Sequence, residues 1–442
     1  MVDGSRLECF HNRKMNIFRT SILFLGLIAC GCGPEIGTGK IKIRYMAWGN
    51  PEQLALEEQL CEQFNRENSD IEVKLLKVPG TAYANKSVVM LASDTAADVL
   101  RVDHYNFANL QKKDFFLDLT ELTKGDPTWN EADYFPQTID ECKVNGKVFG
   151  LNVLFGGTVI YYNKTMVAKE GIEDPYIAWK NGRWNYDQFV ATAVKLTKKD
   201  RDGRYVQFGT AMPTFPSWTP LVYGFGGDFL NAEHTKSALS DPKTIAGLKF
   251  IADLRYKYAC APTPAQSANS AFTFESGKLG MSFDWMGMTP RYRKAVKGFD
   301  WDVVPIPTGP VSGQTIVKGN QLVIPKHCKN PQAAWKFARF ITSPKIEALL
   351  YVQNRRCFPT RVSVANSKAF SDATLAPTQI HIFIDAVKGG RQLPIDDRWA
   401  EWTTTMNNEL DLLWNGSERD AKVVAGRATK SIDKLLSEEP GW

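Results

Sequence analysis

Residues 41–66 read IKIRYMAWGNPEQLALEEQLCEQFNR. Ile41 to Met46 alternates apolar and polar side chains, the period of a half-buried strand. Trp48-Gly49-Asn50-Pro51 breaks that pattern. Over residues 52–66 the apolar positions shift to helical spacing, at Leu54, Leu56, Leu60, Cys61 and Phe64. Ile71 to Val78 predicts a second strand. Ala97 to Val102 predicts a third, followed at once by Asp103-His104-Tyr105. A strand–helix–strand order calls for parallel strands and a doubly wound α/β lobe. Ligands of such sheets sit beyond the carboxyl ends of the strands. That rule puts Trp48, Asn50, Asp103, His104 and Tyr105 at a candidate site, with a helix cap as the competing role for Asp103.

The rest of the chain continues in the same vein. Val148 to Asn152 and Val159 to Tyr162 predict strands on either side of a bend at Phe155-Gly156-Gly157. Residues 184–199 (WNYDQFVATAVKLTKK) predict an amphipathic helix with Asn185 as its N-cap. Pro213 to Gly227 is a Pro/Gly/aromatic loop around Trp218, too long and decorated to be mere linkage. Gly280 to Phe283 predicts a short strand that ends in Asp284-Trp285; Trp301 to Val304 and Gln321 to Ile324 predict two more. Pro331 to Thr342 opens a helix with Pro in its first turn, and the C-terminus is largely helical from about Arg398 to Leu436.

Composition bounds the function. The 442 residues carry a formal charge of +6, with 43% hydrophobic and 23% charged residues. That is ordinary globular composition at a length for two or three domains, not a disordered chain, a collagen-like fibre or a coiled coil. No Lys/Arg block stands out, so nothing argues for nucleic acid. The 12 Trp are a surplus, serving either core packing or carbohydrate stacking. There is no G-x-S-x-G elbow, no H-E-x-x-H and no CxxC, and the five His are scattered. Asp200-Arg201-Asp202-Gly203 lacks EF-hand spacing and reads as a tight turn. Gly37-Thr38-Gly39-Lys40 lacks the hydroxyl residue of a P-loop. No catalytic group, cofactor or metal is expected. Cys61, Cys142, Cys260, Cys328 and Cys357 are odd in number and read as small buried hydrophobes.

The N-terminus suggests export. Arg13, Lys14 and Arg19 precede the apolar run Ser21 to Ala29 (SILFLGLIA). The run is shorter than the ~20 residues that span a bilayer, and it fits the basic and apolar regions of a secretory signal. It ends in Leu27-Ile28-Ala29-Cys30, which resembles the bacterial lipobox. Residues 1–29 are therefore expected to be a signal peptide, Cys30 the lipidated residue, and residues 30–40 a tether. Met15 would open a conventional signal (MNIFRTSILFLG), which makes residues 1–14 candidates for an overlong reading frame.

Behind that leader, a series of segments resembles the extracellular solute-binding proteins of ABC importers, in the family that includes maltodextrin-binding proteins. The segments are Tyr161-Tyr162-Asn163-Lys164, Gly171-Ile172, Trp184 to Phe189, Glu275 to Met281, Trp301 to Pro307, Ala333 to Pro344, Phe358 to Arg361 and Trp399-Ala400-Glu401-Trp402. They span roughly residues 40–436. Each is weak alone; their order and spacing make the signal. The segment between Gly150 and Tyr162 departs from the family pattern in length, and Asn152 replaces the usual Pro.

The resemblance implies two α/β lobes, each a mainly parallel sheet flanked by helices, joined by a hinge. The expected lobes are 40–152 plus 302–355, and 153–301 plus 356–442. A carbohydrate would bind in the cleft between them and pass to membrane permease subunits, the receptor being a monomer, lipid-anchored at the cell envelope outside the cytoplasm. The first lobe would supply Trp48, Asn50, Asp103, His104, Tyr105 and Asn320, with Phe155 at the hinge. The second would supply Trp218, Asp284, Trp285, Arg356 and Trp399. Trp285 and Trp399 fall where family members place stacking aromatics, whereas Trp184, Trp301 and Trp335 match core positions. Two other functions compete: an exported carbohydrate-active enzyme, which needs convergent carboxylates, and a receptor for a non-sugar solute such as a glycerol phosphate, for which His104, Arg356 and Arg361 leave room.

Overall fold

The computed structural model describes residues 39–442 apart from 50, 269–270, 350–356, 369 and 439–442. The expected signal peptide, the Cys30 site, most of the tether, Asn50 and Arg356 lie outside the described residues.

Eleven strands are described: β1 (Ile41–Trp48), β2 (Ile71–Val78), β3 (Val99–Asp103), β4 (Lys143–Val144), β5 (Lys147–Val148), β6 (Leu151–Asn163), β7 (Lys198–Lys199), β8 (Tyr205–Thr210), β9 (Leu279–Trp285), β10 (Trp301–Val304) and β11 (Val317–Val323). Helices α1 (Pro51–Glu67), α2 (Gly80–Ala92) and α3 (His104–Lys112) follow the first three long strands. β1 pairs in parallel with both β2 and β3, as the strand–helix–strand order predicts. β11 then runs antiparallel between β3 and β6.

Both faces of this first sheet are covered. Ile43, Tyr45 and Ala47 point into one core with Phe337 and Ile341 from the helix Pro331–Ile341. Met46 joins the other core, with Tyr83 and Leu91 of α2 and Phe107 and Leu110 of α3. The strand period thus sends alternate residues into two separate apolar layers. Each large side chain so buried contributes about 1.5–3 kcal/mol.

β6 differs from expectation. Instead of two strands around a bend at Phe155-Gly156-Gly157, one strand runs from Leu151 to Asn163. Its first half, to Gly157, pairs with β11; from Thr158 onward it pairs with β9 and β10. The glycines mark a handover between partners. A Cβ on Gly157 would stand 3.2 Å from the Ile316 carbonyl, so a side chain there would push the crossing segments apart. Beyond the handover, Ile160 and Tyr162 enter a core with Trp184, Phe189, Trp402 and the C-terminal helices. Val159 and Tyr161 enter another with Tyr292, Trp301 and Phe358. Trp184, Trp301 and Trp335 are buried, as expected. Cys61, Cys142 and Cys260 are free and buried, Cys328 is free and half-buried, and Cys357 is buried. The 200–204 turn is a turn: Asp200 Oδ1 accepts from the backbone amides of Asp202 and Arg204.

Candidate functional site

Trp48 closes β1, Asp103 closes β3, and Asn320 lies opposite Asp103 on β11. The Asp103 carboxylate caps α3, with Oδ1 accepting from the Tyr105 amide at 3.1 Å. The cap does not exhaust it. Oδ2 also accepts from Asn320 Nδ2 at 3.2 Å and from Lys318 Nζ at 2.9 Å. One carboxylate thus serves both the helix cap and its neighbours Lys318 and Asn320.

These side chains border a cavity of about 300 Å³. Its other walls come from Leu154, Phe155 and Gly156 of β6, from Trp285 at the end of β9 with Met286 and Gly287, and from Gln53, Arg101 and Cys357. Of the expected site residues, Trp48, Asp103, Phe155, Trp285 and Asn320 are brought together here.

Two cations line the cavity, and each has a carboxylate. Arg101 Nη1 lies 2.5 Å from Glu57 Oε1, both side chains being buried. Lys318 is held by Asp103. The Arg101 guanidinium sits 4.4 Å from the centre of the Trp48 ring, which also packs on Tyr83. Lys318 Nζ sits 4.0 Å from the Tyr105 ring centre and 5.7 Å from that of Trp285. The lining is polar without net charge, since each cation is neutralised locally. Arg101 and Lys318 did not figure in the sequence reading. For Arg101 the signal was present: it interrupts the apolar run Val99–Val102, where a charge is expensive unless it is paired. Lys318 sits on a strand of mixed polarity, which gives no such signal.

Other expected site residues lie elsewhere. His104 does not line the cavity. Its Nδ1 is 3.4 Å from Gln321 Nε2 and its Nε2 is 3.7 Å from Glu141 Oε1. Glu141 Oε2 accepts from Asn152 Nδ2 at 2.7 Å, so the Asn152 that departs from the family pattern belongs to this buried cluster. The His104–Glu141 contact has ion-pair geometry but not ion-pair charge. Burial pushes His104 down to about 4 and Glu141 up to about 8, so both are neutral near pH 7. Gly319, beside this cluster, has no room for a side chain because Asn152 occupies the space.

Asp284 alternates with Trp285 along β9 and faces away from it. It accepts from Ser282 Oγ and Tyr292 Oη, both at 2.5 Å, and burial raises its pKa. Trp218 is 1% exposed and packs edge-on against Phe229 and Trp414. It borders a separate hollow of about 280 Å³ with Phe215, Arg255, Asn407 and Asp411. Trp399 is 5% exposed. Tyr105 stacks on it at 5.1 Å with an interplanar angle of 7°, and Trp402 and Phe215 pack against it too. Arg361 is buried against Tyr134, Asp133 and the Thr342 carbonyl, away from the cavity. None of these residues lines the cavity, because side-chain direction depends on what the neighbouring elements leave open.

Among the described residues, no group of three or more His, Cys, Asp or Glu could hold a metal ion. No helix among them is long and apolar enough to cross a membrane.

The fold defines the class first. An ABC substrate-binding protein from Listeria monocytogenes, solved in complex with cycloalternan, superposes with a TM-score of 0.79 at 21% identity, covering 90% of this chain and all of that one. A maltose-bound binding protein of T. maritima superposes at 0.75 and 21% identity, covering 89% of this chain and all of that one. The architecture is that of the two-lobe binding proteins. The sequence pattern described as "Bacterial extracellular solute-binding protein" matches residues 48–348, and the chain belongs to that family. Curated relatives include an arabinooligosaccharide-binding protein of Bacillus subtilis, 24% identical over 347 residues, 74% of this chain and 76% of the relative. Another is a maltooligosaccharide ABC transporter solute-binding lipoprotein of Streptococcus pneumoniae, 24% identical over 313 residues, 67% of this chain and 68% of the relative.

Proposed function

We propose that this chain is the ligand-capturing component of an ABC importer and that it binds a neutral saccharide in the cavity between Trp48 and Trp285. The observation that carries the reading is the cavity lining. The indoles of Trp48 and Trp285 bring apolar surface to the C–H side of a sugar ring, while Asp103, Asn320, Lys318 and Arg101 offer donors and acceptors to its hydroxyls. A few placed polar groups in an apolar wall is the usual composition of a small-ligand site. The carbohydrate names of relatives in the same family support the choice of solute. Local pairing of both cations favours a neutral sugar over a phosphorylated or acidic one. The sugar is released unaltered to a permease.

The expected lobes are 40–152 with 302–355, and 153–301 with 356–442. We move one crossing. Because β10 pairs with the second half of β6, the chain returns to the first lobe between β10 and β11 rather than at residue 302. Closure of the lobes on the sugar is a hinge motion of a known kind. Cys30 carries the lipid anchor and residues 1–29 are removed; replacing Cys30 by Ser should release the protein from the membrane fraction.

The function is tested by calorimetric titration with two length series: glucose, maltose and maltotriose, and arabinose, arabinobiose and arabinotriose. Binding of a member of either series is expected, with the sugar recovered intact by chromatography. Binding of glycerol 3-phosphate in place of every saccharide would overturn the reading.

A further inference from the structure

Helix α3 has two working faces. Phe107 and Leu110 enter the apolar core beside β1 and β3, with Met46 and Tyr83. Tyr105, Asn109 and Lys112 follow one another at i, i+4 and i+7, which gathers them on a different face of the helix. That face meets the segment leading into the helix Trp399–Asn415. Trp399 and Trp402 belong to another core, with Ile160 and Phe189. The contact therefore joins elements rooted in separate cores, one in each of the lobes proposed above.

The contact is specific on both sides. Tyr105 stacks on Trp399, with ring centres 5.1 Å apart and planes 7° from parallel. Asn109 Nδ2 donates to the Asp397 carbonyl at 2.6 Å, and Lys112 pairs with the Asp397 carboxylate. The receiving segment is fixed within its own lobe: Asp396 Oδ1 accepts from the Arg398 amide at 3.0 Å and from Trp402 Nε1 at 3.2 Å. Asn109, Lys112 and Asp397 do not line the cavity that Trp48 and Trp285 border. Their hold on the two lobes is therefore the same for any occupant of that cavity.

We propose that Tyr105, Asn109 and Lys112 form a latch against Asp397 and Trp399, which draws the lobes together independently of the sugar, so that the sugar meets a receptor already partly closed. This rests on the two-lobe, hinge-closing reading above and adds the contact that sets the resting position of the hinge. A ligand that binds the closed form has an apparent affinity scaled by the fraction of molecules already closed. The latch raises that fraction, and so tightens binding through residues outside the cavity. Its ion pair is partly exposed, with the Lys112 and Asp397 side chains at 55% and 24% of full exposure, so the latch weakens as salt rises.

Small-angle X-ray scattering of the sugar-free protein reads the hinge, and calorimetric titration with the same two length series reads affinity. The latch is opened from either side. Asn109→Ala/Lys112→Ala removes both polar contacts from the surface of α3, and Asp397→Lys sets a like charge against Lys112. Each should raise the sugar-free radius of gyration above that of the wild type. Each should also weaken the saccharide that the wild type binds best by about fivefold or more. Lys112→Asp/Asp397→Lys restores opposite charges and should return both readouts toward the wild type, a rescue that lost packing alone does not produce. Folded Asn109→Ala/Lys112→Ala and Asp397→Lys variants that scatter like the wild type overturn the latch, whatever their affinity, and leave saccharide binding standing. A charge swap that stays as open as Asp397→Lys alone overturns it too. A wild type that binds no saccharide overturns the proposed ligand, while the scattering arm, which needs no sugar, still decides the latch. Asp397→Lys and its charge swap decide on their own if the double alanine variant does not fold.

Discussion

Two aromatic regions of this molecule use the same parts and arrive at different ends. Around the cavity, Trp48 packs near Arg101, and Trp285 shares the lining with it. A few ångströms away, Lys318, Tyr105 and Trp399 form a closed layer in which the aromatic faces meet one another. Both regions pair aromatic rings with cations, and both draw on residues far apart in the chain. Only the first leaves apolar surface that a guest could cover. An indole is a binding plate when tertiary packing spares one of its faces, and core when it does not.

The comparison can be broken most forcefully at the buried extreme. Trp218→Ala removes a core indole and is expected to cost about 3–5 kcal/mol of stability. Urea unfolding measures this, and sugar affinity of the folded protein should change little. A large affinity loss with little destabilisation would make Trp218 a site residue after all. Trp285→Ala is the mirror case. It is expected to weaken saccharide binding by about 2 kcal/mol, roughly thirtyfold, as removal of an interface hot spot does. Titration of the variant checks this, and an unchanged dissociation constant would mean that the guest does not touch Trp285.

A third substitution sharpens the role of the charges. Lys318→Met keeps the stem over Tyr105 but takes the ammonium from the partly exposed Asp103 carboxylate, leaving it the Tyr105 amide and Asn320. A loss of about 1–3 kcal/mol in stability is expected, larger at low ionic strength than in high salt. Equal loss at all salt concentrations would point to lost packing, not lost pairing.

The smallest effect is a pH dependence behind the cavity. Burial raises the Glu141 pKa to about 8. The folded state therefore holds its proton more tightly than the unfolded chain, and this contribution to stability is lost as pH rises from the ordinary carboxylate range through about 8. His104 has the opposite sign. Its pKa is lowered to about 4, so its contribution is present above the ordinary histidine value and lost as pH falls toward 4. Between about 4.5 and 6.5 the two oppose each other. From about 6.5 to 8 Glu141 acts without that opposition, together with Glu347, which is also raised to about 8 by burial. Glu141→Gln should flatten part of the fall in melting temperature over that window, an effect of order 1 kcal/mol. A variant whose melting profile parallels the wild type from pH 6.5 to 8 would place the Glu141 proton elsewhere.

Most of the regular structure was legible in the residues. The period of Ile41–Met46, the spacing from Leu54 to Phe64 and the strand Ile71–Val78 name β1, α1 and β2 within a residue or two at either end. Asn185 caps the helix Tyr186–Leu196 as predicted, its side chain accepting from the Gln188 amide. The Gly156-Gly157 pair misled. Glycine permits a bend, but here it permits close approach of the crossing segments, and the sequence does not distinguish the two. Among the residues that line the cavity, Trp48, Asp103 and Trp285 were expected from strand ends, and Phe155 and Asn320 from the resemblance. Arg101 was missed because a charge inside an apolar strand betrays a partner without naming it, and Lys318 because a lysine among polar neighbours on a strand carries no signal of its own.

By itself, the sequence determined which segments are strands and helices, which family the chain resembles, and which strand ends face the site. Those properties rest on local periodicity and order along the chain. Tertiary structure alone decided that Trp399 is covered while Trp285 is open, that Asp103 serves a helix and a lysine at once, and that His104 faces Glu141 rather than the void. The physical reason is that side-chain exposure and charge pairing depend on which elements pack together, and here the partners lie up to nearly 300 residues apart in the chain.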